Sequence, residues 1–255
     1  MEILTAIHTD VGIRKEGNQD SILLKIADTS VGKVVLAVIC DGMGGLSQGE
    51  VASASVIKAF SDWFQYELPI QLGKNDLRDI QYRWDRLIKE QNQRIAQYGR
   101  NMNIQLGTTW AAVLIIDDYS MLIGHVGDTR VYRIADRLQI VTEDQTVVAR
   151  EIKRGRLTPE QAAQDPRRNV LLQCIGASKI VEPDFLTSRP ERGEVIMLCS
   201  DGFRHMISER EIFEAFSPAH LTDETIMKQK AIEMVELNKQ RNETDNITVL
   251  LMKIL

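Results

Sequence analysis

Five aspartates stand where apolar, strand-like runs of this sequence begin or end. VVLAVIC leads into Asp41, MLIGHVG into Asp128 and VIMLCS into Asp201, whereas Asp20 and Asp245 come just before SILLKI and ITVLLMKIL. A carboxylate that is buried at a strand end loses its hydration, which destabilises the fold unless a partner neutralises the charge. Because these residues are spread from position 20 to 245, a shared partner requires both ends of the chain to meet.

A divalent cation fits this role better than a basic side chain. No lysine or arginine is adjacent to Asp41 or Asp201, and only Asp128 has one close by, at Arg130. Hard ions such as Mg²⁺ and Mn²⁺ take oxygen ligands from a few carboxylates and carbonyls. The three cysteines have no paired spacing and the four histidines form no zinc-like cluster, so the sequence does not indicate a softer metal.

Length and composition favour one domain over residues 1–255, because no linker, repeat or low-complexity tract divides the 255-residue chain. The net charge of −5 is made of 31 basic and 36 acidic residues without a basic block, which argues against a nucleic-acid partner. No apolar run approaches the roughly 20 residues that span a bilayer, and the first residues are not typical of a signal peptide. We therefore expect a soluble, cytoplasmic protein with no membrane partner.

Apolar periodicity predicts a mixed α+β fold. Strands are predicted near residues 2–8, 21–27, 33–40, 108–116, 120–126, 130–134, 180–187, 194–199 and 246–254. The short polar stretch 117–120 between two of them predicts a hairpin, and hence antiparallel pairing.

Helical spacing predicts two long helices between the third and fourth strands. The first has Ser47 as its N-cap and ends at Pro69, and the second begins after Asn75 and stops before Gly99. A third helix is predicted near 222–240. Residues 144–180 combine charges, one glycine and two prolines with short helical pieces. They are interpreted as a surface excursion near the site, with a plain solvated connection as the alternative.

Seven segments, in a fixed order, resemble the metal-dependent protein phosphatase family, the protein phosphatase 2C-like serine/threonine phosphatases. They are TDVGIRKEGNQDS, VICDGMGG with GEVAS after it, LGTTWAAVLI, HVGDTRVYRI, VTEDQTVV through RRNVLLQCIG, LCSDGF and DNITVLLMKI. An Asp-Gly step by itself is weak evidence, since hairpin turns use it often. Seven segments in family order, covering nearly the whole chain, are specific.

The resemblance implies a four-layer α-β-β-α sandwich, in which two antiparallel β-sheets are flanked by helices. It also implies two Mn²⁺ or Mg²⁺ ions at one end of the sheets. Asp41 would bridge both ions, and the carbonyl of Gly42 would bind one of them. Asp201 and Asp245 would hold the other ion, and Asp20 would support the centre directly or through water.

By the same resemblance, which is to the bacterial type, Asp128 would belong to a third, weaker metal position and 144–180 would be the flap beside the substrate path. The implied activity is that of a hydrolase in signal transduction, a monomer that dephosphorylates phosphoserine and phosphothreonine in the substrates of a serine/threonine kinase. Two cations about 4 Å apart can activate a bridging water for direct in-line attack on phosphorus. The chain agrees, since it has no Gly-X-Ser-X-Gly elbow and its cysteines lack an adjacent cationic activator.

Two positions depart from the family. An ungapped match places Lys15, with Arg14 one step earlier, where the family has a phosphate-binding arginine. Either cation could contact phosphate, although only an arginine gives a bidentate fork. The alternative is that both are solvated surface charges. Met43 stands where some eukaryotic relatives have a histidine proposed as the general acid. The absence of that histidine resembles the bacterial pattern and leaves proton donation to metal-bound water or an unidentified group.

Several other polar residues are not predicted to belong to the metal site. Arg204 and His205, just after Asp201, are interpreted as ordinary surface or turn residues. The acids Asp144, Asp165 and Asp184 lie in polar stretches and are interpreted as solvated.

Two other functions are considered. A pseudophosphatase would bind phosphoproteins without hydrolysing them, but no metal acid is missing from this chain. A calcium-holding interaction module is disfavoured because the acids come from distant strands and not from one loop. The segments that would select a physiological substrate are the least patterned of the sequence.

Overall fold

The structure of the protein is a computed structural model that describes all residues except 45–47, 74–75 and 118. Its strands are β1 Ile3–Asp10, β2 Ser21–Thr29, β3 Gly32–Cys40, β4 Gly42–Gly44, β5 Leu106–Thr108, β6 Trp110–Ile116, β7 Ser120–Val126, β8 Arg130–Ile134, β9 Leu138–Ile140, β10 Asp184–Ser188, β11 Val195–Cys199 and β12 Ile247–Ile254. Its helices are α1 Gly49–Tyr66, α2 Leu68–Leu72, α3 Leu77–Met102, α4 Val147–Lys153, α5 Pro159–Gln164, α6 Asp201–Arg204, α7 Glu209–Phe216 and α8 Glu224–Gln240.

The described strands form two five-stranded sheets and a small ribbon. The first sheet has the order β1-β12-β11-β8-β9, the second has the order β10-β7-β6-β3-β2, and β4 pairs with β5. Every paired set of strands is antiparallel. The antiparallel pairing predicted from the sequence is therefore confirmed.

Apolar side chains fill three clusters among the described residues. One lies between α1, α3 and the second sheet, one between α7, α8 and the first sheet, and one between the two sheets. Successive residues of β3 alternate between the outer and the inner cluster: Val34 and Leu36 face the helices, and Val35 and Ala37 face the other sheet. A strand buried on both faces needs a continuous apolar run, which explains VVLAVIC. The layers follow the predicted four-layer α-β-β-α sandwich, with helices on the outer face of each sheet.

Aromatic packing fixes the helices to the second sheet. Trp84 of α3 packs edge-on against Trp110 of β6, with ring centroids 5.7 Å apart, and against Phe60 of α1 at 5.3 Å. Each such pair contributes about 0.5–1.5 kcal/mol beyond the area it buries. The contact holds Trp110, the first residue of β6, which directly follows Thr108 and Thr109.

The predicted helices are confirmed, with differences at their ends. The proposed N-cap Ser47 lies outside the described residues. The second helix starts after Asn75 as predicted, since α3 begins at Leu77 with Asp76 as its N-cap. Helix α1 ends at Tyr66, before Pro69, which lies in the first turn of α2. The end predicted before Gly99 is wrong, because α3 continues to Met102. A Cβ at Gly99 would lie 2.8 Å from the carbonyl oxygen of Ile104, so this glycine allows the returning chain to pass close by.

Several short elements are not predicted by the sequence. They are the helices α2, α6 and α7 and the strands β4 and β9, which have only three residues each and carry little periodicity. The helical pieces expected within 144–180 are present as α4 and α5. Residue pairs Thr108–Ile175 and Thr146–Leu171 attach this segment to β5 and to itself. No helix in the described part of the chain is long and apolar enough to cross a membrane.

The strand register brings Asp20 and Asp41 together. Ser21 pairs with Cys40 across β2 and β3, so the acid before one strand and the acid after the other lie at the same end of the second sheet. The connection that carries Asp128 leaves β7 at this end, since β7 runs antiparallel to β6 and β6 antiparallel to β3.

The first sheet delivers the other two acids to the same end. Cys199, the last residue of β11, pairs with Arg130 on one side and with Val249 on the other. Asp201 therefore leaves the sheet beside the segment in which Asp245 enters β12. Acids that are far apart in sequence thus lie together at one end of the sandwich.

Candidate active site

The five aspartates form one electrostatically coupled group. Burial raises the pKa of the Asp41 carboxyl well above its ordinary value, and the charges of Asp20, Asp201, Asp128 and Asp245 raise it further. Asp41 thus lies at the centre of the group. Carboxylates this close repel one another unless they are protonated or share a cation.

The carboxyl groups of Asp20 and Asp128 also have raised pKa values. Burial, together with the charge of Asp201, raises the pKa of each to about 7. The hydroxyls of Ser200 and Thr248 offset this only in part at Asp20, and neither of its carboxylate oxygens has a hydrogen-bond partner of good geometry among the described residues.

These acids fit a hard cation by chemistry. Both oxygens of Asp20 and the Oδ1 atom of Asp201 are buried without a hydrogen bond in the described structure, which is costly for a carboxylate and which a divalent ion would relieve. In this structure, no group of three or more histidine, cysteine or acidic side chains among the described residues is arranged so that it could hold a metal ion. The Lys15 ammonium lies 2.8 Å from the Oδ1 atom of Asp245, so binding of an ion by that oxygen requires this contact to be exchanged.

Backbone contacts fix Asp41. Its carbonyl oxygen accepts hydrogen bonds from the Thr109 amide and the Thr108 hydroxyl, both at 2.9 Å, and its amide donates to the Thr109 hydroxyl at 3.0 Å. The next amide, that of Gly42, donates to the carbonyl oxygen of Gln19 at 3.2 Å. A Cβ at Gly42 would lie 2.5 Å from that oxygen and would overlap Gly49, so only glycine permits the approach that joins Asp41 to Asp20.

The roles of Thr108 and Thr109 were missed in the sequence reasoning. The segment LGTTWAAVLI was noted only as part of the family order, and no local pattern shows that its hydroxyls reach a residue 67 or 68 positions away. The adjacent threonines just before an apolar strand were the available signal.

The structure separates Lys15 from Arg14. The Lys15 ammonium lies 2.8 Å from the Oδ1 atom of Asp245. Partial burial lowers the pKa of Lys15, but the hydrogen bond and charge of Asp245, with the charges of Asp41 and Asp201, raise it on balance. Arg14 is exposed. Lys15 is therefore the cation that lies beside the acids.

Arg204 and Asp144 are not the solvated residues that the sequence suggested. Arg130 holds Asp144 with two hydrogen bonds of 2.7 Å, and Arg204 lies 3.3 Å from the same carboxylate. Burial raises the pKa of Asp144, but these two arginines outweigh it and lower the pKa below its ordinary value. Arg204 also donates to the carbonyl oxygen of Asp128 at 3.1 Å. The basic neighbour of Asp128 is thus Arg204, and Arg130 serves Asp144.

The other two acids set aside in the sequence reasoning lie away from this group. Asp165 forms an ion pair with Arg167 at 2.8 Å. Asp184, exposed at the start of β10, accepts a hydrogen bond from Gln145 at 2.7 Å. Neither raises the pKa of Asp41.

Comparison with known proteins identifies the family of this chain. A family model described as protein phosphatase 2C matches residues 12–236. The chain belongs to the protein phosphatase 2C family. Its sequence is 30% identical over 257 residues to protein phosphatase PhpP of Streptococcus pneumoniae, covering all of this chain and 98% of that protein.

Solved structures of phosphatases in this family have the same fold. The serine/threonine phosphatase of S. agalactiae superposes with a TM-score of 0.86 at 31% identity over the full length of both chains. The catalytic domain of the phosphatase PstP, in complex with two manganese ions, gives a TM-score of 0.79 at 27% identity over 98% of this chain and 97% of that one. This protein is accordingly an enzyme, a protein phosphatase 2C-type serine/threonine phosphatase that acts on phosphorylated proteins.

Proposed function

We propose that this phosphatase hydrolyses phosphoserine and phosphothreonine with the help of two Mn²⁺ or Mg²⁺ ions. The observation that carries the proposal is a group of buried, mutually repelling carboxylates with oxygens that lack partners among the described residues. The proposed ligands are Asp20, Asp41, Asp201, Asp245 and the carbonyl of Gly42, with a third, weaker position at Asp128. When bound, two such ions lower the pKa of a water between them and offset charge on the phosphate.

The protein itself supplies position and charge. Thr108 and Thr109 hold the backbone of Asp41, so that this carboxylate stays at the centre of the group. Lys15 is proposed to bind the substrate phosphate, because its ammonium lies at the acids and 42% of its side chain is exposed to solvent. An ammonium provides a point charge, whereas an arginine would provide a planar fork.

The whole chain, 1–255, is proposed to be one catalytic domain. Strand β1 pairs along its full length with β12, which joins the two ends of the sequence in one sheet. Residues 144–180 are proposed as its flap, since Ile175 pairs with Thr108, one of the two residues that hold Asp41. We also propose a cytoplasmic location, in keeping with three free, buried cysteines. The further proposal is a monomer that opposes a serine/threonine kinase.

Metal-dependent hydrolysis of p-nitrophenyl phosphate and of a phosphoserine and phosphothreonine peptide panel tests the proposal. Activity should appear with Mn²⁺ and disappear with a chelator. Asp41→Asn should lower kcat/KM by at least about 100-fold, since it removes the central ligand and several kcal/mol of charge stabilisation. The control is Asp136→Asn, an exposed acid in the turn between β8 and β9. Near wild-type turnover of Asp41→Asn at saturating Mn²⁺ would refute the assignment.

A further inference from the structure

His205 lies between two acids that come from different parts of the chain. Its Nε2 atom is 3.5 Å from the Oδ2 atom of Asp201, and its Nδ1 atom is 3.3 Å from the Oε2 atom of Glu243. The other oxygen of Glu243 accepts hydrogen bonds from the amides of Thr244, at 2.6 Å, and Asp245, at 2.9 Å. We call this imidazole and carboxylate the His205–Glu243 bridge, because it links Asp201 to Asp245.

The backbone brings the same two acids together. A Cβ atom at Gly202 would overlap the carbonyl oxygen of Asn246 and would lie 3.3 Å from the Cβ atom of Asp245. The glycine after Asp201 thus allows the start of α6 to pack directly on the loop that precedes β12. With the backbones in contact, the bridge governs how the two carboxylates are aimed.

Solvation of the loop does not explain Glu243. Its side chain is 4% exposed, although it follows α8 in a short polar stretch. A carboxylate at such a position needs charge-assisted partners. Two amides bond to its Oε1 atom, whereas its buried Oε2 atom has no hydrogen bond among the described residues and only the imidazole nitrogen 3.3 Å away beside it. A purely structural role would use those partners alone, yet the second nitrogen of the imidazole faces Asp201.

The two carboxylate oxygens of Asp201 have different surroundings. Oδ2 faces the imidazole, while Oδ1 is buried and has no hydrogen bond among the described residues. In metal sites, groups behind the ligands fix the orientation of the ligating carboxylates, and their loss typically weakens metal binding by about 10- to 100-fold. In Asp201 the imidazole lies beside Oδ2, and Oδ1 is left without a partner among the described residues. This arrangement suits a residue that orients a ligating carboxylate.

We propose that His205 and Glu243 are positioning residues that aim Asp201 and Asp245 at one cation. This inference rests on the proposed function, in which those two aspartates bind the same ion. It assigns a role to two residues that lie outside the proposed ligand set. The bridge acts through ligand orientation, so its loss should appear in metal affinity before it appears anywhere else.

Calorimetric titration of the chelator-stripped protein with Mn²⁺ tests the bridge. His205→Ala and Glu243→Gln should each weaken binding of one tight ion by about 10- to 100-fold. The double variant should be little weaker than either single variant, since residues that act as one unit are not additive. Glu243→Gln keeps both backbone hydrogen bonds to its Oε1 atom, so it removes the charge without unfolding the loop. His205→Gln, which can still donate to a carboxylate, should recover part of the lost affinity.

A matched control is His220→Ala, which replaces an exposed histidine whose Nδ1 atom lies 2.8 Å from the Glu214 carbonyl oxygen. The Mn²⁺ affinity of this variant should equal that of the wild type. Thermal unfolding in chelator separates folding from orientation. Lower stability with unchanged Mn²⁺ affinity in both single variants would overturn the bridge while leaving the proposed function intact. A wild-type protein that binds no Mn²⁺ would overturn the proposed function, and this inference with it.

Discussion

The side chain of Asn246 holds the backbone of Gln19, 227 residues away in sequence. Its Oδ1 atom accepts a hydrogen bond from the Gln19 amide at 2.9 Å, and its Nδ2 atom donates to the carbonyl oxygens of Val11, at 2.9 Å, and Gly17, at 3.2 Å. The loop fixed in this way carries Lys15 and leads into Asp20. Asn246 therefore positions that loop against the segment that holds Asp245.

Asn246→Ala should lower the free energy of unfolding by about 2–4 kcal/mol, because three hydrogen bonds are lost and buried backbone groups are left unpaired. The same change should lower kcat/KM, since Lys15 and Asp20 lose their support. Chemical denaturation and steady-state kinetics provide the two measurements. Asn101→Ala, at an exposed position in α3, is the control and should change stability by less than about 0.5 kcal/mol. Equal stability of both variants would show that the Asn246 contacts are not formed.

Lys15→Met should lower kcat/KM by about 10- to 100-fold, because a charge-assisted contact to the phosphate is worth roughly 1.5–3 kcal/mol. Arg14→Met is the matched control. Arg14 is the exposed neighbour, and its loss should change kcat/KM less than about threefold. Michaelis–Menten kinetics on one phosphopeptide distinguish the two. A larger loss in Arg14→Met than in Lys15→Met would reverse the assignment.

Asp128→Asn should impair turnover by roughly 10- to 100-fold while leaving the two tight Mn²⁺ ions in place. The reason is that Asp128 differs from the proposed tight ligands in its surroundings, since Arg204 lies 3.7 Å from its Oδ2 atom. Calorimetric stoichiometry and activity on the same preparation measure both properties. Loss of both tight ions would contradict this division of roles.

Arg204→Met should lower the free energy of unfolding by about 3 kcal/mol. Its side chain is only 14% exposed, and removing one member of a buried ionic network leaves charges uncompensated. Arg210→Met provides the comparison, because Arg210 forms an ion pair with Glu214 on a surface where its side chain is 86% exposed, and such pairs contribute about 0–1 kcal/mol. Denaturant unfolding with both variants measures the difference. A cost no larger than that of Arg210→Met would mean that Arg204 is not part of the network.

In chelator, the acid group should make the protein less stable as the pH rises. The pKa of Asp20 and of Asp128 is raised from 3.8 to about 7 on folding. The folded state thus binds these protons more tightly than the unfolded state, so the stabilisation is complete below about pH 4 and is lost as the pH rises to about 7. Asp20→Asn cannot titrate and should show a flatter profile between these values.

The measurement is the melting temperature across that pH range in chelator, for wild type and Asp20→Asn. Wild type and variant with parallel profiles would contradict the raised pKa of Asp20. With Mn²⁺ present the trend should reverse, because metal binding requires deprotonated carboxylates and so strengthens as the pH rises.

Much of the fold followed from local patterns. Each principal strand lies within a few residues of its prediction, since apolar runs and alternation report directly on which residues are buried. The helices α2, α6 and α7 were not predicted, nor were β4 and β9, which are too short to carry a period. The end of α3 was misplaced, because Gly99 serves a neighbouring segment and not a helix end.

The sequence by itself determined which residues could be strands and helix faces, and that five aspartates stand at strand ends where burial would be costly. Both are properties of adjacent residues, so they can be read along the chain. The tertiary structure decided which side chains meet: Arg130 turns to Asp144 and not to the nearby Asp128, and Asn246 reaches Gln19. Such partners depend on the register of strands and on close backbone approaches between distant segments, and a linear pattern contains neither.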